Sequence, residues 1–358
     1  MTRQIHQMLP TLGYGDAVGN HVLELRRLLR QAGYQSEIFA ERWHPRLDGE
    51  CRHYAEYRRF SNADNLLILH YSIGGEVNHF IRDLPDRVLI YYHNITPAHF
   101  FYRTNGELAR LLDEGRRDLA KLAGKYPAIA VSPYNQRELE TMGFQVLGLV
   151  PCIVRFDQLE ATLATPDALR TKQRFAKQDN VDWLFVGRLA PNKCVDDIIK
   201  AFYYYHTWIN DKSRLMLVGA SDGMGPYVSS LYEWVTRLGL DGAVVFPGHV
   251  DSLGIFYEMA DLYISMSEHE GFCIPLLEAM HFHIPVLAYA STAVPETLAN
   301  AGVLFQRKDY ALVAEMAHEM ISNRELRERL IQVQRERLTA FDPDHVRAQF
   351  LSCVQGLV

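Results

Sequence analysis

The stretch that decides the fold of this chain is Ser265–Val286, SMSEHEGFCIPLLEAMHFHIPV. It predicts the end of a strand, a tight glycine turn and a short helix whose first residue is Pro275, where the missing N–H of proline costs nothing. The residue before it, Ile274, has no side-chain oxygen to cap the free helix amides, where Ser, Thr, Asp or Asn is usual. An uncapped helix start is a candidate anion site, and Glu270 and Glu278 flank it.

Outward from this stretch, short apolar runs rich in β-branched and aromatic residues alternate with helical patterns. The alternation predicts α/β units with parallel sheets covered by helices on both faces. Because the rhythm breaks between Val150 and Val181, we expect two Rossmann-like domains, joined by a polar linker, that face each other across a cleft. The predicted strands are Ile5–Leu9, Ser36–Ala40, Leu66–His70, Val88–Tyr92, Ala128–Ser132, Val146–Val150, Trp183–Val186, Leu215–Val218, Val244–Phe246, Leu262–Ser265, Val286–Ala288 and Gly302–Phe305.

Composition excludes several classes of protein. The 358 residues are enough for two domains. The net charge of -6 argues against nucleic acid as the main partner, because binding to phosphate backbones needs a basic field. The five cysteines are odd in number and scattered, which predicts a reducing compartment without a disulfide frame or a zinc site. No apolar run approaches the roughly 20 residues of a membrane span or forms a signal peptide, so we expect a cytoplasmic protein.

Ligands of parallel sheets bind beyond the carboxyl ends of the strands, so the residues there are the first candidates for function. The glycine-rich segment Leu12–Asn20, which contains Gly15, follows the first strand and is either a phosphate-binding loop or a plain turn. His93 directly follows another strand and is well placed to contact a substrate. His70 also ends a strand and is a weaker candidate of the same kind.

Two predicted helices, residues 19–32 and 107–125, have basic polar faces opposite their leucines. The plain interpretation is a solvated surface. The alternative is peripheral membrane contact, or a patch for a phosphate-bearing acceptor.

In the second half, Arg188 and Lys193 follow a strand closely. Two cations at the carboxyl end of a strand suit a diphosphate, because Arg offers bidentate donors and Lys a point charge. The alternative is a surface ion pair with Asp196 or Asp197. The strand end at Phe246–Val250 has a backbone suited to the edge of a nucleobase.

Three segments taken together, Phe185–Leu189 with Lys193, Phe246–Val250 and Glu270–Met280, resemble the family 4 retaining glycosyltransferases. The resemblance covers nearly the whole chain and implies the GT-B fold, in which two Rossmann-like domains surround a donor cleft. Cys273 stands where this family usually has a glycine.

The resemblance also implies roles for individual residues. Arg188 and Lys193 are expected on the donor diphosphate, Glu270 on hydroxyls of the transferred sugar and Glu278 on the ribose. The pattern puts His93 beside the reacting sugar, so His93 and Glu270 are the expected catalytic residues. The other expected donor-binding residues are Gly15, His249, Val250, Gly271, Phe272, Cys273, Ile274, Pro275 and Leu276.

The resemblance further implies a division of labour between the domains. Residues 1–160, with a C-terminal helix at 343–358 packing back on them, are expected to bind the acceptor. Residues 161–342 are expected to bind the nucleotide sugar.

The function that follows is a retaining glycosyltransferase of bacterial surface polysaccharide or glycoconjugate synthesis. It would move a hexose from UDP- or GDP-hexose to a glycan or lipid-linked acceptor, with no cofactor and no metal. Two alternatives are a nucleotide-sugar epimerase of the same fold and a non-catalytic subunit that binds nucleotide.

Overall fold

The computed structural model describes residues 4–175 and 180–357 of the chain. Their contacts divide the chain into two compact units. Unit 1 contains the residues up to His99, Gly106–Val154 and the residues from Phe341 onward, whereas unit 2 contains Phe100–Asn105 and Arg155–Ala340. The chain therefore passes between the units at Val154–Arg155, shortly before the expected division after residue 160. Residues 176–179 of the predicted linker lie outside the described residues.

The strands of the described residues pair with their neighbours in parallel. Each of the predicted strands overlaps one of them, and the strand that the sequence did not predict is the short, exposed β3. The strands are β1 Ile5–Leu12, β2 Ile38–Trp43, β3 Arg52–His53, β4 Leu66–Tyr71, β5 Arg87–Tyr92, β6 Ala128–Ala130, β7 Val146–Leu149, β8 Val181–Val186, β9 Ser213–Val218, β10 Val244–Gly248, β11 Leu262–Ser265, β12 Val286–Tyr289 and β13 Val303–Phe305.

Helices connect most of these strands, as parallel pairing requires. They are α1 Ala17–Gln31, α2 Val77–Phe80, α3 Gly106–Ala120, α4 Pro133–Thr141, α5 Phe156–Ala161, α6 Pro166–Arg174, α7 Val195–Trp208, α8 Gly225–Arg237, α9 Gly254–Met259, α10 Ile274–His281, α11 Val294–Leu298, α12 Tyr310–Ser322, α13 Arg324–Leu338 and α14 Pro343–Gln355.

The two sheets have the same topology. The strand order is β3-β2-β1-β4-β5-β6-β7 in unit 1 and β10-β9-β8-β11-β12-β13 in unit 2. In each sheet the first three strands extend to one side and the later strands extend to the other. The strand order therefore reverses between β1 and β4 in unit 1 and between β8 and β11 in unit 2. In such sheets a crevice opens at this switch point, beyond the carboxyl ends of the strands. The expected pair of Rossmann-like α/β domains is confirmed.

Aromatic packing builds the core of unit 2 between its sheet and α7. The ring of Trp183 in β8 lies 5.6 Å from that of Phe202 and 4.9 Å from that of Tyr205, and all three side chains are buried. Fully burying an apolar side chain of this size contributes about 1.5–3 kcal/mol. This packing anchors β8, so the loop that follows it has a fixed start.

The helix α14 belongs to unit 1, although the chain reaches it only after the whole of unit 2. Its residues Val346, Phe350 and Val354 are buried. At its edge, Arg347 donates to the Glu24 carboxylate of α1 at 2.9 Å. Unit 1 is therefore completed by a segment from the far end of the sequence.

Candidate functional site

The predicted phosphate and sugar residues of unit 2 lie on the two loops that follow the strands of its switch point. Arg188 and Lys193 follow β8, whereas Glu270 follows β11, and β8 and β11 are hydrogen-bonded neighbours. Residues 77 positions apart, Lys193 and Glu270, thereby come into direct contact. The predicted residues on these loops lie where an α/β sheet binds its ligands.

The loop after β8 is held in close contact with the loop after β9. Gly219 has a φ of +152°, and a Cβ placed on it would lie 1.9 Å from the carbonyl oxygen of Gly187. No side chain fits there, so the glycine at position 219 permits the close approach of the two loop backbones. Arg188 lies between them and donates from Nη2 to the carbonyl oxygen of Asp222 at 2.8 Å. Its guanidinium is thus oriented by unit 2 itself.

Lys193 forms an ion pair with Glu270. Its Nζ lies 2.7 Å from each oxygen of the carboxylate. Burial lowers the pKa of Lys193, but the Glu270 carboxylate outweighs this effect and leaves that pKa above its ordinary value. The alternative pairing of Lys193 with Asp196 or Asp197 is not what the structure has, because these residues bind Lys200 instead.

Backbone hydrogen bonds tie together the loops that carry this ion pair. The carbonyl oxygen of Asn192 accepts from the backbone N–H of Glu268 at 2.9 Å, and the Asn192 side-chain amide donates to the carbonyl oxygen of His269 at 3.2 Å. The hydroxyl of Thr292 accepts from the backbone N–H of Glu270 at 2.8 Å. Sequence reasoning could not select Asn192 or Thr292, because their contacts are long-range and no motif contains them.

The helix α10 begins one residue earlier than predicted. Its first residue is Ile274, Pro275 is the second, and the residue at the N-cap is Cys273. A proline tolerates either place in the first turn, since neither N–H has a partner within the helix. Cys273 makes no side-chain cap and has a φ of +71°. The uncapped start is therefore present, but a left-handed cysteine forms it. Burial, reinforced by Glu270, raises the pKa of the Cys273 thiol well above its ordinary value.

The rest of the glycine turn lies directly before this helix. Gly271 and Phe272 connect Glu270 to Cys273, and the hydroxyl of Thr297 donates to the Phe272 carbonyl at 2.7 Å. The backbone N–H of Leu276 already donates to the carbonyl oxygen of Cys273 at 3.1 Å.

Glu278 lies one turn into α10 and binds a tyrosine. The hydroxyl of Tyr257 donates to its carboxylate at 2.6 Å. Burial raises the pKa of Glu278 to about 7, although the Tyr257 hydroxyl acts against this shift. Glu278 is therefore poised between its charged and neutral forms near neutral pH. No sequence pattern links Tyr257 to Glu278, and only the fold brings them together.

The predicted nucleobase positions lie farther along the sheet. His249 and Val250 directly follow β10, and His249 Nε2 lies 3.7 Å from a carboxylate oxygen of Asp251. β9 separates β10 from β8. Neighbouring strands are spaced by about 4.8 Å, so these residues lie roughly 10 Å along the sheet from the loop of Arg188. This distance is typical of the span from a diphosphate to a base.

Gly15 and His93 lie in unit 1, apart from this set. Gly15 has a φ of +72° in the loop between β1 and α1. Other glycines of the loop serve close packing, since a Cβ on Gly19 would lie 2.2 Å from the carbonyl oxygen of Gly13. Asp16 caps α1 by accepting from the N–H of Gly19. The loop is thus a tightly packed turn before a capped helix.

The half-buried His93 contacts two buried histidines, His70 and His21, beyond the sheet of unit 1. Its Nε2 lies 2.8 Å from Nδ1 of His70, and the ring of His21 lies 5.6 Å away. Burial, together with the neighbouring imidazoles, holds the pKa of His93 and of His70 well below the ordinary range. The rings are therefore neutral at physiological pH. The sequence indicated His93 and His70 as strand-end residues but gave no signal for His21.

The basic helices of unit 1 are largely neutralised by neighbouring carboxylates. Arg26, Arg27 and Arg30 of α1 pair with Glu50, Glu24 and Glu37, respectively. In and after α3, Arg110, Arg116 and Lys121 pair with Glu114, Glu138 and Asp118. The pairing favours the solvated-surface interpretation of these helices. Among the described residues, no helix is both long and apolar enough to span a bilayer.

One acidic cluster of unit 2 contains its own cation. Possible ligand atoms of Cys194, Asp197 and Glu268 lie within 4.8 Å of one another. The ammonium of Lys308 binds Asp197 at 2.8 Å and Glu268 at 2.7 Å. The lysine serves as the counter-ion of this cluster.

The sequence of unit 2 and the structure of the whole chain are similar to those of known proteins. Residues 167–337 match the family model of the glycosyl transferases group 1. The structure is similar to that of HepE from Anabaena in complex with UDP, with a TM-score of 0.74 and 18% identity over 99% of this chain and 100% of that one. It is also similar to sucrose-phosphate synthase from Thermosynechococcus elongatus, with a TM-score of 0.76 and 18% identity over 99% of both chains. The fold is GT-B.

Among curated proteins, the chain is similar to the N-acetyl-alpha-D-glucosaminyl L-malate synthase of Bacillus anthracis. The two are 30% identical over 145 residues, which are 40% of this chain. The chain spans 36% of the length of that relative. The segment matched by the family model lies in unit 2 and contains Arg188, Lys193, Glu270 and Glu278.

Proposed function

We propose that the protein is a retaining glycosyltransferase that moves a hexose from UDP- or GDP-hexose to a glycan or lipid-linked acceptor. The observation that carries the proposal is the close ion pair of Lys193 and Glu270 at the switch point of unit 2. Arg188 lies in the same loop as Lys193, and Glu278 lies in the helix that follows Glu270. The names of relatives and neighbours agree with the proposal, since HepE has been solved with UDP.

Each residue of this set matches a different part of a nucleotide sugar. Arg188 provides fork-shaped donors and Lys193 a point charge, which together suit two neighbouring phosphates. Glu270 accepts from hydroxyls of the hexose, and Glu278 accepts from hydroxyls of the ribose. The base lies toward His249 and Val250, about two strand spacings away.

The chemistry requires the stabilisation of a leaving nucleoside diphosphate. As the bond between the anomeric carbon and the phosphate oxygen breaks, negative charge develops on the diphosphate. Arg188, Lys193 and the uncapped start of α10 provide positive potential at that point, the role that a preorganised site plays in a transition state. The acceptor hydroxyl forms the new bond on the same face of the sugar, and its proton passes to the leaving phosphate oxygen. The configuration of the anomeric carbon is thereby retained.

The ion pair of Lys193 and Glu270 gives the donor two partners at once. A phosphate that approaches Lys193 competes with the Glu270 carboxylate, and a sugar hydroxyl that approaches Glu270 replaces the hydrogen bonds lost there. Because an unpaired buried charge is costly, each exchange is more favourable when phosphate and sugar arrive together than when either arrives alone. The pair therefore favours an intact nucleotide sugar over a free sugar.

The family pattern assigns acceptor binding to unit 1. It also assigns His93 to the reacting sugar and Gly15 to the diphosphate. These roles follow the family pattern and the position of both residues beyond the carboxyl ends of strands.

The proposal is tested by ligand binding followed by turnover. Isothermal calorimetry with UDP, GDP and ADP should identify one nucleotide that binds, with Arg188→Ala weakening it and the exposed Arg170→Ala leaving it unchanged. The matching nucleotide hexose should be consumed slowly in the presence of EDTA, and NMR of the transferred product should show the anomeric configuration of the donor. Absence of binding by all three nucleotides would refute a nucleotide-sugar donor. Release of an epimerised free sugar would identify an epimerase instead.

A further inference from the structure

A directional hydrogen-bond chain crosses three strands of unit 1 and ends at His93. Gln7 lies in β1, His70 in β4, and His93 directly follows β5. Gln7 is in register with Ile68, and His70 is in register with Tyr91. Because side chains alternate along a strand, Gln7, His70 and His93 all project from the same face of the sheet.

The first hydrogen bond, between Gln7 and Val22, fixes the orientation of the Gln7 side-chain amide. Gln7 Nε2 lies 3.1 Å from the carbonyl oxygen of Val22, which can only accept. The amide nitrogen therefore faces Val22, and the amide oxygen faces His70 Nε2 at 2.9 Å. An amide oxygen also only accepts, so the proton lies on His70 Nε2.

The positions of the remaining imidazole protons follow because His70 and His93 are both neutral. A neutral imidazole has one N–H, so Nδ1 of His70 is an acceptor. It lies 2.8 Å from His93 Nε2, which must then donate. His93 is neutral as well, so its Nδ1 is a bare acceptor. This Nδ1 is buried and has no hydrogen-bond partner among the described residues.

We propose that Gln7 and His70 are positioning residues that hold His93 as a neutral imidazole, protonated at Nε2, whose Nδ1 accepts a hydroxyl of the reacting sugar. The part concerning the sugar rests on the proposed function; the part concerning the proton does not. A hydroxyl supplies the donor that the bare Nδ1 needs. A neutral acceptor also adds no positive charge beside an anomeric carbon that becomes electron-poor as the diphosphate leaves.

Gln7 suits this task better than a carboxylate would. An aspartate or glutamate behind a histidine raises its basicity and favours a cation. An amide orients the ring with the same geometry but cannot pair with a cation. The chain therefore fixes the tautomer without making His93 a strong base.

Two other polar side chains, His21 and Tyr91, face the hydrogen-bonded histidines, and Nε2 of His21 is buried without a hydrogen-bond partner among the described residues. His21 of α1 accepts at Nδ1 from the backbone N–H of Ile153 at 3.2 Å, and Tyr91 donates its hydroxyl to the carbonyl oxygen of Val150 at 2.8 Å. Burial, opposed by the Glu24 carboxylate, lowers the pKa of His21 to about 3. Glu24 itself binds Arg27 and Arg347. The charge of Glu24 is therefore compensated by two arginines, and the groups in direct contact with the hydrogen-bonded histidines are neutral.

The tautomer is measured directly by the nitrogen chemical shifts of labelled histidines in the full chain. In the wild type, His93 should show a protonated Nε2 and a bare Nδ1 across neutral pH. His70→Phe keeps an aromatic ring but removes both hydrogen bonds, and should leave His93 as a mixture of tautomers. The matched control is His6→Phe, since His6 is equally buried in β1 but bonds Gln4 and Glu37 instead. A proton on His93 Nδ1 in the wild type, or an unchanged tautomer in His70→Phe, would overturn the proposal.

Turnover tests the consequence for the sugar. With UDP-glucose or GDP-mannose, whichever the wild type consumes, His70→Phe should lower kcat by roughly 10- to 100-fold, as loss of a histidine's supporting partner does elsewhere. The dissociation constant of the free nucleotide should not change, and His6→Phe should retain kcat. Gln7→Glu should add an acid limb to the pH profile of kcat, because the carboxylate stabilises a protonated imidazole.

The outcomes separate the two proposals. A kcat of His70→Phe equal to that of His6→Phe, or a pH profile of Gln7→Glu identical to the wild type, would overturn the positioning role. A wild type that neither binds nucleotide nor consumes either nucleotide sugar would overturn the proposed function. The nitrogen shifts would still decide whether the chain fixes the proton of His93.

Discussion

The polar side chains beyond the two sheets differ in charge. Beside the sheet of unit 1, His70 and His93 are neutral and bonded to each other, and burial keeps their pKa values low. At the switch point of unit 2, Lys193 and Glu270 are both charged and form a close ion pair. The same topology thus carries a neutral cluster in one unit and a charged one in the other. The proposed function uses this difference, with a partner of hydroxyl character for unit 1 and an anionic partner for unit 2.

The strongest test of this comparison removes the cation of unit 2. Lys193→Met leaves the Glu270 carboxylate buried without its partner, which should lower the free energy of unfolding by about 3–5 kcal/mol. Nucleotide binding should be lost as well. Urea denaturation and calorimetry measure the two effects.

A double variant separates charge burial from ligand binding. Lys193→Met combined with Glu270→Gln removes both charges and should recover most of the stability, because the unpaired carboxylate is gone. It should not recover binding. If it bound nucleotide as the wild type does, the anionic site would lie elsewhere in unit 2.

The second test concerns Arg188. Its side chain is exposed, and its guanidinium is oriented by a hydrogen bond to the carbonyl oxygen of Asp222. Arg188→Ala should weaken nucleoside diphosphate binding by about 1.5–3 kcal/mol, the value of a hydrogen bond to a charged group. Stability should change little. Calorimetry on this variant and on the exposed Arg170→Ala provides the comparison, and equal affinities would remove Arg188 from the phosphate site.

The third test uses the one carboxylate of the site whose charge is not fixed. In the free protein the pKa of Glu278 is about 7, so below that pH it is mostly protonated. Ribose hydroxyls donate best to the charged form, and binding should then release a proton. Affinity should rise by at most about tenfold per pH unit up to neutrality and level off above it.

Two variants check the sign of this pH dependence. Glu278→Gln should abolish the slope, since no proton remains to be released. Tyr257→Phe removes the hydrogen bond that lowers the pKa of Glu278, so the slope should extend to higher pH. Calorimetry in two buffers of different ionisation enthalpy counts the protons released; a slope that survives in Glu278→Gln would assign it to another group.

The smallest expected effect is at the left-handed Cys273. Cys273→Gly removes a conformational cost of roughly 1–2 kcal/mol but adds the chain entropy of glycine, roughly 0.5–1 kcal/mol. We expect a net gain in stability of about 0.5–1 kcal/mol. A shift of the urea midpoint to higher concentration checks the sign, and Cys273→Ala, which keeps a Cβ, should not stabilise the protein.

The sequence predicted the sheets well because buried parallel strands consist of continuous apolar runs. It missed β3, whose two residues, Arg52 and His53, are polar and exposed. For the site, strand ends and the resemblance indicated Arg188, Lys193, Glu270 and His93. Their partners were harder to foresee, since Tyr257, Asn192 and Gln7 reach them through tertiary contacts without a local pattern. The start of α10 was misplaced by one residue because a left-handed cysteine, where glycine is usual, took the N-cap.

The late position of α14 has a consequence for how the protein is made. A ribosome releases β1 to β7 first, then the whole of unit 2, and only afterwards the helix that contributes Phe350 to the first core. Until then, the apolar face that Phe350 covers beside Tyr91 remains open. Domains generally fold in order of synthesis, and exposed apolar surface on a nascent chain promotes aggregation. Unit 1 therefore remains incomplete, with this apolar face uncovered, while the rest of unit 2 is translated.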